Sequence, residues 1–277
     1  MNDPKNGLIG PEDYVEPRCP LCMTPPGAER VSPVPLQRIA EKTDAYMGRR
    51  DFAGAERHLR YWLEEARAGN DRRGAFSLWN ELMGFYRKQG AQEKAMEAAR
   101  NALGLVDEVD RVSAGTCYVN CGTVCDAFGM PERALELFEQ AKALYEENLP
   151  EGDPRLGGLY NNMALALVAL RRWGEAYELY RRALGVMSGA PNGALEQAIT
   201  YLNMADAVEA EHGFEKGEAV IGQYLEQAAA LLDEPSLPRS GYYAFVCEKC
   251  APGFDHYGWF AYAAELKERY EAIYAGT

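Results

Sequence analysis

Residues 160–184 read YNNMALALVALRRWGEAYELYRRAL, and the order of large and small side chains in this stretch decides the fold. Tyr160, Met163, Ala164 and Leu167 recur at steps of three and four, which places them on one face of a helix. Trp173, Ala176, Tyr180, Ala183 and Leu184 then form a second such face. The stretch reads as helix, short turn, helix.

Working outward, the same unit returns. Ala55, Ala95, Ala134, Ala176 and Gly217 are spaced by 40, 39, 42 and 41 residues. Trp79, Tyr118, Tyr160, Tyr201 and Tyr243 are spaced by 39, 42, 41 and 42. The two ladders keep phase, each small residue of the middle repeats lying 16 positions after its aromatic. In the unit at 118–144, Tyr118, Cys121, Gly122 and Cys125 share a face, and Phe128-Gly129-Met130-Pro131 breaks the helix. Glycine permits the turn, and proline suits the first turn of the next helix. Leu135, Phe138, Ala141 and Leu144 supply the second apolar stripe.

Small residues at fixed positions let helix backbones approach. Ala164 and Ala205 do so in first helices, Ala134 and Ala176 in second ones. The aromatics fill the wedge between hairpins. One hairpin cannot bury its own apolar faces, so stacking must supply the core.

The order aromatic, large-small, aromatic or aliphatic, then Ala, aromatic, Ala resembles the tetratricopeptide repeat. It is plainest at 160–184 and clear in WNELMGFYRKQGAQEKAMEAARNAL (79–103) and YVNCGTVCDAFGMPERALELFEQAKAL (118–144). The resemblance covers about residues 36–277 in six units. These units run near 40 residues where the family has 34, which implies longer helices or connections. Thr43 stands where a small residue is usual, and the aromatic-rich stretch at Phe254-Asp255-His256 is expected to be a turn that fits the pattern poorly. The expected fold is all-α, a right-handed superhelix of about six helical hairpins in residues 36–277. Residues 1–35, with Pro17, Pro20, Pro25, Pro26, Pro33 and Pro35, are expected to form an extended N-terminal arm.

The 277 residues carry a formal net charge of -13, which disfavours nucleic acid as a general partner. No run approaches the ~20 apolar residues that cross a bilayer, so no membrane partner is expected. The start of the chain, MNDPKNGLIGPEDYVEP, lacks a basic-then-apolar signal, which leads to the expectation of a cytoplasmic protein with reduced thiols. No phosphate loop, HExxH or nucleophile elbow is present, and His58, His212 and His256 lie in different units. The chain is therefore expected not to be an enzyme. Gly157-Gly158 reads as a flexible turn before the fourth repeat.

The binding candidates follow from the repeat. First helices of stacked hairpins line the inside of a superhelix. Asn120, Asn162 and Asn203 each sit two positions after the aromatic, with Asn161 one earlier. An amide both donates and accepts, so a row of them can pair with a peptide backbone whatever its sequence. The family resemblance implies a peptide-binding use of this position, although asparagine there can also serve the repeat itself. From 192 to 235 nine acidic residues face one lysine, Lys216. Asp206 and Glu209 belong to the first helix of that unit, while Arg87 and Lys88 end the first helix of the second. A partner basic near the fifth repeat and acidic near the second would be favoured, unless these charges form a solvated outer face.

Two CxxC pairs are metal candidates. Cys19-Pro20-Leu21-Cys22 has a zinc-knuckle spacing, and Cys247-Glu248-Lys249-Cys250 repeats it. Together they would make a four-thiolate structural zinc site joining the arm to the last repeat, within one chain or across a homodimer. Such a site would make the chain a zinc- or thiol-dependent sensor whose arm is pinned near the groove. Unmetallated thiols are the alternative, since Cys247 and Cys250 fall on the buried face. Cys117, Cys121 and Cys125 form an i, i+4, i+8 row read as packing. The aromatics from Tyr242 to Tyr262 read as a hydrophobic cap, or else as a docking pocket.

Overall fold

A computed structural model describes residues 31–276, and among them twelve α-helices form six hairpins. The hairpins are α1 (Leu36–Gly48) with α2 (Phe52–Ala68), α3 (Arg72–Lys88) with α4 (Gln92–Leu103), and α5 (Arg111–Ala127) with α6 (Pro131–Asn148). Then come α7 (Pro154–Ala169) with α8 (Trp173–Met187), α9 (Gly193–His212) with α10 (Phe214–Leu232), and α11 (Gly241–His256) with α12 (Phe260–Ala275). The chain is a tetratricopeptide-like, right-handed α-α superhelix.

Short polar residues start many of these helices. The carboxylates of Asp51, Asp71, Asp110 and Asp153 accept from the backbone N–H of Gly54, Gly74, Ser113 and Arg155, two or three residues on. Each satisfies a donor that the first helical turn leaves unpaired. A second device closes the hairpins. Every turn inside a hairpin holds one residue at positive φ: Arg50, Gly90, Gly129, Arg171, Gly213 and Gly258. Glycine takes that conformation without strain, whereas the two arginines adopt it at a cost.

The close approaches expected of the small residues are present. Ala55, Ala95, Ala134, Ala164, Ala176 and Ala205 are all fully buried. At Gly122 a Cβ would run into the ring of Phe138, so this hairpin closes because the residue has no side chain. Trp79, Tyr160 and Tyr243 are buried as wedges between repeats, while Tyr118 and Tyr201 are half-buried. Thr43 is buried as well, and its hydroxyl donates to the carbonyl of Ile39 in its own helix.

The structure changes two expectations. Gly157 and Gly158 lie inside α7 rather than in a turn, because Asp153 and Pro154 start the helix before them. Gly157 is kept small by Met187, whose side chain packs where a Cβ would sit. Phe254, Asp255 and His256 form the last turn of α11, and the break falls at Gly258.

Curvature follows from which helices touch. Besides their neighbours in sequence, α3 packs on α5, α5 on α7, α7 on α9 and α9 on α11. The even-numbered helices make no comparable mutual packing among the described residues. A row of rods closer together on one side curves toward that side, so the odd-numbered helices form the inner wall. Residues 31–35 have a definite place beside the first two hairpins. Ser32 N–H donates to the Gly69 carbonyl at 2.8 Å and Val34 N–H to Asp71 Oδ2 at 2.9 Å, which holds the chain on the α2–α3 turn.

Candidate functional site

On the inner wall the side chains that neither pack nor vanish into the core fall at helical spacing. Asn80 and Glu81 sit on α3, and Asn120, Thr123 and Asp126 on α5. Asn161 and Asn162 sit on α7, Glu196, Asn203, Asp206 and Glu209 on α9. On α11 the stripe continues as Tyr242, Phe245, Lys249 and His256.

The amides form a cross-repeat system. Asn120 Nδ2 donates to Asn80 Oδ1 at 3.1 Å, and Asn203 Nδ2 donates to Asn161 Oδ1, also at 3.1 Å. Each pair joins consecutive repeats and uses one donor and one acceptor, so each amide keeps further capacity. Asn162 makes no such bond among the described residues; Asn161 takes the place that the spacing assigned to it. Asn80 escaped the sequence reading because it follows its aromatic by one position instead of two. Its 40-residue separation from Asn120, one full repeat, is the signal that points to it.

The acidic candidates are engaged from the next hairpin. Tyr257 Oη lies 2.8 Å from Asp206 Oδ1 and 3.1 Å from Glu209 Oε2, and its one proton is donated to either carboxylate. His256 Nε2 lies 2.8 Å from Glu209 Oε2, and that carboxylate raises the imidazole pKa above 6.5. Four inner carboxyl groups are pushed above their usual range, with burial as the largest cause in each: Glu81, Asp126, Glu196 and Asp206. Water reaches Asp206 and Glu81 from one side, while the curved wall crowds them from the others; loss of solvation in a concave surface explains both facts. None of the four makes an ion pair with lysine or arginine within 4 Å among the described residues. Arg87 and Lys88 end α3 as expected, but Lys88 acts on Glu81 and lowers its pKa against that burial.

The cysteines belong to the core. Cys117, Cys121, Cys125, Cys247 and Cys250 are free and buried. Burial pushes the Cys247 thiol up to about 11 and the Cys250 thiol up to about 12, which disfavours the thiolate that zinc requires. For these two to ligate, α11 would have to turn its packed face outward. Cys19 and Cys22 lie outside the described residues, and among those described no group of three His, Cys, Asp or Glu is placed to hold a metal. No described helix is long and apolar enough to cross a membrane.

The carboxyl-terminal aromatics divide. Tyr243, Phe254 and Tyr257 are buried in the last two hairpins, as a cap requires. Tyr242 and Phe245 are exposed on the inner face of α11, their rings stacked with centroids 6.2 Å apart. Two hollows lie elsewhere. One of about 590 Å³ adjoins Val31, Arg72 and Arg100, and one of about 500 Å³ lies between α8, α9 and α10. Neither is lined by the amide row.

No protein-family model matches the chain, and no curated protein matches it. Solved structures do. BtubC (BKLC) from P. vanneervenii is similar over 83% of this chain and 91% of its own, with a TM-score of 0.54 and 22% identity. A putative kinesin light chain from Podosopora anserina with nearly identical TPR-like repeats gives 0.48 at 20% identity, covering 72% of this chain and 94% of its own. PilF of Pseudomonas aeruginosa gives 0.48 at 16% identity, covering 87% and 92%. At 22% identity the BtubC likeness bears on the fold alone, in agreement with the stacked hairpins described above.

Proposed function

We propose that this protein is a scaffold that holds an extended segment of a partner protein along the inner wall of its superhelix. The observation that carries this reading is the row of half-buried amides on α3, α5, α7 and α9, bonded in pairs across repeats. Pairing fixes the amide planes; Asn80 also donates to the Phe76 carbonyl of its own helix, so the capacity left for a guest lies mainly on Asn120, Asn161, Asn162 and Asn203. A peptide backbone offers one donor and one acceptor per residue, the complement of such a row. Asp206 and Glu209 on α9 and Arg87 and Lys88 at the end of α3 differ in sign, so side chains of the guest can set its direction.

The test is a peptide library titrated against the wild type and an Asn162→Ala, Asn203→Ala double variant. Weaker binding across many sequences is expected, because the contact is to backbone. Equal binding by both proteins would discard the groove.

A further inference from the structure

Charge is divided unevenly along this acidic chain. Residues 31–104 hold thirteen lysines and arginines against ten acidic residues, whereas residues 105–277 hold thirteen against twenty-seven. Part of that positive end surrounds a cavity. The hollow of about 590 Å³ lies between the end of α2, the start of α3 and the end of α4. On the outer wall α2 and α4 do not pack on each other, so the wedge between them stays open with α3 behind it. Arg67 lines it from α2, Arg72 from α3 and Arg100 from α4.

The three guanidinium groups are not equally engaged. Arg67 pairs with Glu64 at 3.1 Å and lies over the Trp79 ring, 5.1 Å from its centroid. Arg72 pairs with Glu108 at 2.8 Å. Arg100 is exposed and makes no ion pair among the described residues. Asp71 also lines the hollow, but its two oxygens already accept from the backbone N–H groups of Gly74 and Val34, each at 2.9 Å. Asn70, held at φ 54°, adds an amide to the same lining. Arginine presents a planar fork of donors that matches phosphate and carboxylate oxygens. A phosphoryl group offers three oxygens and about two negative charges, so it can use more than one such fork. Trp79, Ala75 and Leu105 supply an apolar part of the wall, suited to an organic body. The volume falls within the roughly 300–1,000 Å³ of small-molecule sites.

We propose that this hollow is a second binding site, outside the inner wall, for a small organic phosphate. The phosphoryl group is received at Arg100, whose guanidinium has no carboxylate of its own, with Arg67 and Arg72 lining the same space. The organic body lies against Trp79 and Leu105. The site shares no residue with the amide row, so it stands or falls apart from the groove reading.

The experiment titrates phenyl phosphate into the nitrogen-15-labelled full chain and follows the indole N–H resonances by NMR. Inorganic phosphate, benzoate and phenol are the comparators. The Trp79 indole signal is expected to move with phenyl phosphate, while those of Trp173 and Trp259, in later hairpins, stay in place. Phenyl phosphate is expected to bind more tightly than each comparator. Arg100→Gln is expected to weaken it about tenfold, with the thermal midpoint unchanged because the side chain is exposed and unpaired. Arg181→Gln, the same charge change on α8, is expected to leave the affinity unaltered, as is the Asn162→Ala, Asn203→Ala double variant. If benzoate or phenol binds as well, the phosphoryl class is overturned; if inorganic phosphate does, the organic body is. Equal losses from Arg100→Gln and Arg181→Gln would mean diffuse attraction and overturn the site. No movement of the Trp79 signal up to millimolar phenyl phosphate would overturn it whatever the peptide library gives.

Discussion

At Gly122 the difference between a hydrogen and a methyl group decides whether a hairpin can close. The Phe138 ring occupies the space a Cβ would need, and that ring is itself packed on all sides. Gly122→Ala is therefore expected to destabilise the fold by about 1–3 kcal/mol in chemical denaturation, despite alanine's better helix propensity. Gly157→Ala meets the flexible Met187 side chain instead and is expected to cost less. His256 makes a different prediction. Its pKa is raised by Glu209, so the imidazolium–carboxylate contact is complete below about 6.5 and is lost as pH rises through the higher folded value. Histidine NMR should place its midpoint above 6.5, and Glu209→Gln should return it toward 6.5; no change would break the assigned contact. At this scale the period near 40 residues displayed Asn120 and Asn203, and the excess of acid between 192 and 235 displayed Asp206 and Glu209. The sequence hid their partners. Tyr257 reaches Asp206 across a hairpin boundary, and nothing in the local pattern of either helix records that bond.

The hairpin turn is the element that repeats most strictly. Arg50 and Arg171 occupy positive φ, near 57° and 58°, where the other hairpins use glycine. Arg171→Gly is expected to raise stability by up to about 1 kcal/mol, whereas Gly129→Ala is expected to lower it by a similar amount. Calorimetric midpoints moving in opposite directions would bear this out. Two shifts of the same sign would refute it. Of the six turns, the Gly129–Pro131 break was legible from its residue types, while the arginine turn at Arg171 offers no breaker to read. The double glycine at Gly157-Gly158 misleads in the opposite sense. Capping by Asp153 and the first-turn proline Pro154 outweigh its flexibility, and tertiary packing against Met187 then uses the missing side chain.

At the scale of the whole molecule the core is not one body. Buried residues of the first four hairpins form one cluster, those of the last two form another, and the set around Tyr180, Ala164 and Met204 joins them. Stacked repeats couple mainly to their neighbours. Native-state hydrogen exchange is therefore expected to resolve two cooperative blocks, dividing near α8 and α9, with a single global transition as the contrary result. The stacking was legible at this scale, because two ladders in phase can only be repeats. The direction of curvature, first helices inside, was expected from the repeat, and the structure supplies its cause in odd helices approaching one another across repeats.

That approach is what gathers Asp126, Glu196 and Asp206 on one wall, and carboxyl footprinting reads it directly. The protein is labelled with a carbodiimide and glycine ethyl ester, with and without a saturating peptide that binds from the library, and modified sites are quantified by mass spectrometry. The account predicts protection of Asp126, Glu196 and Asp206 on the inner wall, with Glu175 and Glu178 on α8 labelled as before. Protection of the α8 pair, or none on the inner wall while the peptide is bound, would contradict it.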